Sequence, residues 1–435
     1  FVFIYNSLKL QTKRIFMLEN IETSILKNGL TVITFSRDDV ESVSTTFYVK
    51  VGSRYETEKE SGISHFIEHM LFKGTKNRSA RDIVNSIESH GGVMNAATSY
   101  SKTYFYTITP YDKFEYAIDI LSDIYLNPLF KKEDVENEKN VILEEYYGDM
   151  DDPMSAAYDN AASALWPNHP LGQKILGTPE TITAITPELL SKYHKKHYVP
   201  ANTVVVAVGR ITHKQVLDEL NKHFKGKKFA SNKCTSFKLA TNDLPLNKIV
   251  AEAREIKQTS AVISYRHGIG ITNEKHDAIL LLGYILGGNL SSRLFQEIRE
   301  KRALCYSISA SPTFFHEAGL IQILVGLDKS KSLKGLAAIA KECKKLTKKK
   351  VSAEELQRAK DYLIGTTRTA YESTSSQMRW ITSTLARDSY RTPTERCESI
   401  KKVTAEDILE VAKEIFTNEN LSVSLVYPKE GTDTT

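Results

Sequence analysis

Two histidines four residues apart, with a glutamate directly before the second, stand in the stretch HFIEHMLFKGT that begins at His65. On a helix, His65 and His69 share one face a turn apart, and each can turn a ring nitrogen toward the same point. Such a pair suits zinc, and a catalytic zinc needs a third protein ligand and an open fourth position. Glu68 lies at the edge of that face, within reach of a water at the ion without being a ligand. The competing reading is a helix with two hydrogen-bonded histidines. With 11 histidines in 435 residues, chance produces H-x-x-E-H in roughly a few chains per hundred.

A third ligand must come from elsewhere. Glu138 and Glu145, in ENEKNVILEEY, are seven residues apart and so share one helical stripe, two turns apart. A ligand plus an outer carboxylate that orients a histidine or a water would look like this. A plain solvated acidic stripe would look the same. His194 and His197 (HKKH) also have metal-like spacing, but Lys192, Lys195 and Lys196 surround them with no acid nearby. A solvated helix end is the expectation there.

These groups need a scaffold. GLTVITFSRD and STTFYVKVGSRYE read as strands. A helix is predicted around His65, and DIVNSIESHGG reads as another, stopped by Gly91 and Gly92. VMNAATSYSKTYFYTITP is strand-like. Phe114, Ala117, Ile118, Leu121, Ile124 and Tyr125 recur at helical spacing, a helix follows from about Lys132 to Gly148, and TVVVAVG at 203–209 is a buried strand. Periodicity is lost from Gly226 to Asn247, which reads as a linker.

The second half repeats the first. Glu133, Asp134, Lys139 and Leu143 align with Glu354, Glu355, Lys360 and Ile364 at one constant offset, each set preceded by an amphipathic helix and a strand-rich stretch. Two α+β domains of similar fold, from an internal duplication, are expected: residues 17–225 and 248–435, with 226–247 between them. Glu138 and Glu145 meet Ala359 and Thr366, and the second half has no H-x-x-E-H. Only the first copy can hold the site.

Composition narrows the function further. At 41% hydrophobic and 26% charged this is a globular chain, too long for one ordinary core. A net charge of +5, spread out, gives no reason to expect a nucleic-acid partner. The densest basic run, Lys341 to Lys350, reads as a solvated helix face. No apolar run approaches the roughly 20 residues of a membrane span. Cys234, Cys305, Cys343 and Cys397 are far apart and form neither a disulfide framework nor a zinc knuckle. A reducing compartment, the bacterial-type cytoplasm, fits this best, ahead of a mitochondrial matrix or a periplasm. Residues 1–16, apolar and basic without an acid, are either a remnant of a targeting segment or sequence upstream of a start at Met17.

Taken together, the motifs resemble the insulinase/pitrilysin family of inverzincin metallopeptidases. Within it the chain is most similar to the half-length branch with the mitochondrial processing peptidase β subunit and bacterial processing-protease-like zinc peptidases. GSRYE at Gly52, GGVMNAATS at Gly91, HPLGQKILGTPE at His169, YVPANTVVVAVG at Tyr198 and LGGNLSSRLFQEIREKRALCYS at Leu286 carry the resemblance, which spans Leu18 to Tyr427. It implies α/β-sandwich domains, each a mainly antiparallel sheet packed with helices. It also implies one zinc per chain, held by His65, His69 and a glutamate 76 positions after His69, which is Glu145. Glu138 matches the family's glutamate seven positions earlier. Glu68 becomes the general base. Arg299 and Tyr306 match a pair that holds substrate and the tetrahedral intermediate, and Asn95 and Ala96 match the edge strand that receives substrate backbone.

The resemblance implies a metalloendopeptidase that cleaves extended peptides or presequence-like segments. It also implies a homodimer whose sites take Arg299 and Tyr306 from the partner subunit. The alternative is a non-catalytic structural or partner subunit of a processing-peptidase-like complex, since some members have lost the site. Two residues depart from the pattern: Ala303 stands where a glycine is usual, and Arg210 replaces a small polar residue. The long glycine-rich loop of the processing peptidase α subunit is absent.

Overall fold

The computed structural model describes residues 21–229, 245–385 and 391–429. The segment 1–16 and positions 230–244 of the linker lie outside the described residues. Strands β1 (Ile21–Ile25), β2 (Thr31–Ser36), β3 (Ser42–Val49), β4 (Val93–Ser99), β5 (Lys102–Pro110) and β6 (Thr203–Gly209) form one sheet in the order β1-β2-β6-β3-β5-β4. Helices α1 (Ile63–Met70), α2 (Ala80–Glu88), α3 (Phe114–Leu126), α4 (Lys132–Asp151), α5 (Pro153–Leu165), α6 (Pro179–Ala184), α7 (Pro187–His197) and α8 (His213–Phe224) accompany it.

The second half adds β7 (Ile249–Arg254), β8 (Gln258–His267), β9 (Cys305–Phe314), β10 (Gly319–Asp328) and β11 (Leu421–Pro428), ordered β7-β11-β8-β10-β9. Its helices are α9 (His276–Gly287), α10 (Ser332–Leu346), α11 (Ala353–Ala370), α12 (Thr374–Leu385), α13 (Pro393–Lys402) and α14 (Ala405–Ile415). With β1 set aside, the two sheets have the same order. Each has one parallel pair, β2 with β6 and β7 with β11, in an otherwise antiparallel sheet. The α+β fold with two similar sheet-plus-helix domains is therefore what the chain forms. The glutamates that align at constant offset sit in the first turns of α4 and α11.

Burial explains the strand patterns. β5 alternates buried and half-buried residues, as one covered face requires, whereas β3 and β6 are buried almost throughout. Helices cover both faces of those central strands, which is why TVVVAVG is an unbroken apolar run. The second cover comes from the other half. Met378 and Ile381 of α12 pack on Ile33, Val206 and Val208 of the first sheet. Reciprocally, Ala156, Ala157 and Ala161 of α5 pack on Val262 and Val426 of the second. Each half thus lends the other a helix. A buried ion pair, Arg54 to Glu317 at 2.5 Å with the Arg54 side chain 1% exposed, adds a polar tie. Phe315 packs edge-on against Tyr100 and Trp166. Among the described residues no helix is long and apolar enough to cross a membrane.

The expectation of a solvated end for His194 and His197 is wrong. Both rings are buried, at 8% and 2% exposure. His194 Nε2 bonds the Tyr125 carbonyl at 3.0 Å, and His197 lies against the Tyr193 ring. The lysines around them face outward, so the run is amphipathic rather than wholly solvated. Burial lowers both imidazoles to about 4, so they are neutral core residues.

A buried carboxylate in the second half ties α9 to α13 and to Arg391. Asp277 of α9, with its side chain 3% exposed, accepts from Ser399 of α13 at 2.5 Å and from Arg391 at 2.7 Å, and meets His276 Nδ1 at 3.0 Å. Burial alone would raise its carboxyl, but the bonds from His276, Arg391 and Ser399 hold it well below the usual range. Stability from such a group is present above the unfolded value of roughly 4 and is lost as pH falls toward the folded one. Asp277→Asn should therefore destabilise the protein by about 3 kcal/mol at pH 7. In denaturant titrations the gap from wild type should narrow below about pH 4. A pH-independent gap, or none, would contradict this account.

Candidate metal centre

The helix that carries the two histidines is anchored by what lies on its other face. Ile63, Phe66, Ile67 and Met70 are fully buried in the first core. Its N-terminus is fixed by Glu56, whose two carboxylate oxygens accept the Gly62 and Ser64 N–H groups, both at 2.8 Å. These are orphan donors that a helix start must satisfy. Burial pushes the Glu56 carboxyl up to about 8, against the pull of the Ser64 and Gly62 bonds. Gly62 has φ +93°, and a Cβ there would stand 2.4 Å from the Leu176 carbonyl oxygen. Only glycine lets the turn enter α1 this close to the 176–177 loop.

α4 packs against α1, and its Val135 and Ile142 are buried in the same core. This brings the Glu138–Glu145 stripe over the histidines. Glu145 Oε2 lies 3.7 Å from His65 Nε2 and 3.5 Å from His69 Nε2, and all three donor atoms lie within 4.8 Å of one another. Tetrahedral zinc with bonds of roughly 2.0–2.1 Å separates its ligand atoms by about 3.4 Å. Two nitrogens and one carboxylate oxygen at these spacings match that donor set. A carboxylate can only accept, so the 2.8 Å contact of His69 Nδ1 with Glu138 Oε1 puts a ring proton on Nδ1 and makes Nε2 the nitrogen that can ligate. Lys73 holds the other Glu138 oxygen at 2.5 Å.

The electrostatics set two of the three donors in their ligating forms and leave the third to shed a proton. Burial and the charge of His69 pull His65 down to about 4. Burial would also lower His69, but the Glu138 and Glu145 carboxylates raise it to about 9. Glu138 and Glu145 are themselves held low, Glu145 chiefly by its His69 bond. His65 is thus neutral and Glu145 ionised, the forms in which each ligates a cation, whereas His69 is charged at neutral pH without a metal and must give up its Nε2 proton to ligate.

Glu68 does not join this cluster. Its Oε2 accepts a 2.6 Å hydrogen bond from Thr98 Oγ1 of β4, and burial raises its carboxyl against that bond. β4 is the edge of the first sheet and carries Asn95 and Ala96. The Ala96 N–H is taken by Asn95 Oδ1 at 2.7 Å. Arg299 and Tyr306 lie on the second half. Arg299 sits in a π-helical turn, Phe295–Glu300, with its guanidinium 4.6 Å from the Phe295 ring and 5.4 Å from the Tyr306 ring. Tyr306 is 80% exposed. Among the described residues Arg299 meets Glu300, Phe295 and Tyr306, and none of the zinc-helix residues.

Ala303, where the resemblance expects glycine, has φ 48°. Its neighbour Leu304 returns an N–H to the Ile298 carbonyl at 3.1 Å, closing the turn after Arg299. A non-glycine residue in this conformation costs about 1–2 kcal/mol. Three contributors were missed from sequence. Thr98 carries no signal, since threonine is ordinary in a strand. Glu56 lies inside GSRYE and could have been found as a helix-start acceptor. Lys73 follows His69 by one turn and was legible as its neighbour.

The chain is similar to known proteins over most of its length. The profile described as Insulinase (Peptidase family M16) matches residues 31–179, and that of the Peptidase M16 inactive domain matches 184–363. An uncharacterized zinc protease of Rickettsia felis is 33% identical over 406 residues, covering 92% of this chain and 96% of its own. One of Bacillus subtilis is 30% identical over 403 residues, covering 92% and 97%. In fold, the chain is similar to a protease from Helicobacter pylori (TM-score 0.86, 22% identity, 94% and 99% covered). It is equally similar to a structure from Pseudomonas fluorescens described as a peptidase M16 inactive domain (TM-score 0.86, 19% identity, 94% and 98% covered).

The two glutamates of the stripe should respond differently. Glu145→Gln removes a donor and should lose most zinc affinity in chelator competition. Glu138→Gln removes the carboxylate partner of His69 and Lys73 but no donor to the metal, and should lose about 10- to 100-fold. A larger loss in Glu138→Gln than in Glu145→Gln would contradict this geometry.

Proposed function

Because the chain belongs to the insulinase family of peptidases, M16, we propose that it is a zinc metalloendopeptidase whose ion is held by His65, His69 and Glu145. The observation that carries this reading is the convergence of their three donor atoms within 4.8 Å. Bound there, zinc supplies Lewis acidity to the scissile carbonyl and the attacking water. The remaining work falls to side chains. Glu68 takes the proton of the attacking water and delivers it to the leaving amine. Its partly buried carboxyl, raised above the ordinary range, suits both transfers. Glu138, backed by Lys73, keeps the His69 ring in the ligating tautomer.

The substrate in this reading is an extended peptide added as a strand to the free edge of β4 at Asn95 and Ala96. Tyr306, with Arg299, stabilises the oxyanion. What supports a shared site is the exposure of Tyr306 together with the absence, among the described residues, of a contact between Arg299 and the zinc helix. We therefore assign the pair to the opposite site of a homodimer. We also assign zinc binding to residues 17–225 and a supporting role to 248–435, and place the enzyme in the cytoplasm on its dispersed cysteines.

Glu68→Gln should bind zinc as wild type does and lose on the order of a hundredfold or more in kcat. Equal metal loss in Glu68→Gln and His65→Ala would show that Glu68 is a ligand instead. Wild type that binds zinc yet cleaves no member of a peptide library would favour the non-catalytic subunit.

Subunit exchange tests the shared site. Mixing Glu68→Gln with Arg299→Ala chains should restore up to about half of wild-type activity per mixed dimer, because one of its two sites is then complete. No recovery despite demonstrated exchange would mean that the pair acts within one chain or not at all.

A further inference from the structure

Thr98 joins the base to the edge strand. Its hydroxyl donates to Glu68 Oε2 at 2.6 Å. β4 pairs with β5 on one side and has no strand neighbour on the other among the described residues. Backbone direction along the strand follows from one contact. The Ala96 N–H is bonded by Asn95 Oδ1 at 2.7 Å, so it points off the free edge. Successive residues of an antiparallel strand alternate the direction of their N–H and C=O groups. Thr98, two residues on, therefore also presents its N–H and C=O to that edge. Its side chain stands on the face of the sheet that carries α1, as the Glu68 bond requires.

We propose that Thr98 is a positioning residue that couples the seating of a peptide strand on β4 to the orientation of Glu68. A peptide strand that bonds the Thr98 backbone fixes this residue. The fixed hydroxyl then holds one carboxylate oxygen, which leaves the other oxygen directed at the water. The edge meanwhile is kept from unwanted pairing by Asn95, which occupies the Ala96 N–H until a peptide carbonyl displaces it. The inference rests on Glu68 being the base of the proposed reaction.

The test uses the full-length zinc-loaded chain and a quenched-fluorescence decapeptide that wild type cleaves. Thr98→Val keeps the β-branched shape and deletes the donor, and Thr98→Ser keeps the donor. Zinc content by mass spectrometry and the decapeptide's Kd for the metal-free protein are read beside the kinetics. Thr98→Val should retain one zinc and bind the peptide within about twofold of wild type while kcat falls about 10- to 100-fold, the usual effect of losing an outer partner. Thr98→Ser should recover most of kcat.

A Thr98→Val chain with wild-type kcat would overturn the proposal. So would equal loss in the valine and serine variants, or loss of zinc or peptide affinity in step with kcat, since these mark a merely structural role. Glu68→Gln run in parallel separates the two levels. Full activity there removes the base itself, whereas an inactive Glu68→Gln beside an undamaged Thr98→Val removes only the role of Thr98.

Discussion

The hydrogen bond from His69 Nδ1 to Glu138, 2.8 Å long, ties the two helices of the site into one geometry. It assigns the ring proton, so Nε2 faces His65 and Glu145. It also spans α1 and α4, so the ligands from the two elements cannot drift independently. Lys73 supplies the counter-charge, which keeps an otherwise buried carboxylate ionised. Remove the bond and the imidazole is free to present the wrong nitrogen, even with every ligand still in the chain.

That bond needs a rigid mounting, and the fold supplies it in layers. α1 is seated by four buried apolar residues and by the Glu56 contacts at its start. The sheet beneath is covered on both faces because α12 arrives from the second half. The first half returns α5 to the second sheet. This exchange makes the half without zinc ligands a structural requirement of the half that has them. Disturbing one sheet uncovers apolar surface on the other, so the metal site depends on contacts far along the chain.

Local chemistry was legible in the sequence. His65, Glu68 and His69 sit within five residues, and helical spacing alone puts the two rings on one face. Glu138 and Glu145 were legible as a stripe because α4 is a regular helix over their whole span. The duplicated fold showed through the acidic first turns of α4 and α11. What stayed hidden depends on distant partners. α5 (PMSAAYDNAASAL) and α12 (TSSQMRWITSTL) look unremarkable, since small and polar residues do not announce that they cover the opposite sheet. His194 and His197 read as solvated because lysines flank them, although their rings point into the core. Thr98 is one threonine among several, and only its hydrogen bond in the folded chain reveals that it faces Glu68.

The central claim is that His65, His69 and Glu145 close around a single zinc ion. Crystals of the wild-type chain grown with one equivalent of zinc, measured on either side of the zinc absorption edge, test it directly. The account predicts one anomalous peak per chain, about 2.0–2.2 Å from His65 Nε2, His69 Nε2 and a Glu145 oxygen. A peak ligated by Glu68 or Glu138 in place of Glu145, or full zinc occupancy at another cluster with this one empty, would contradict it.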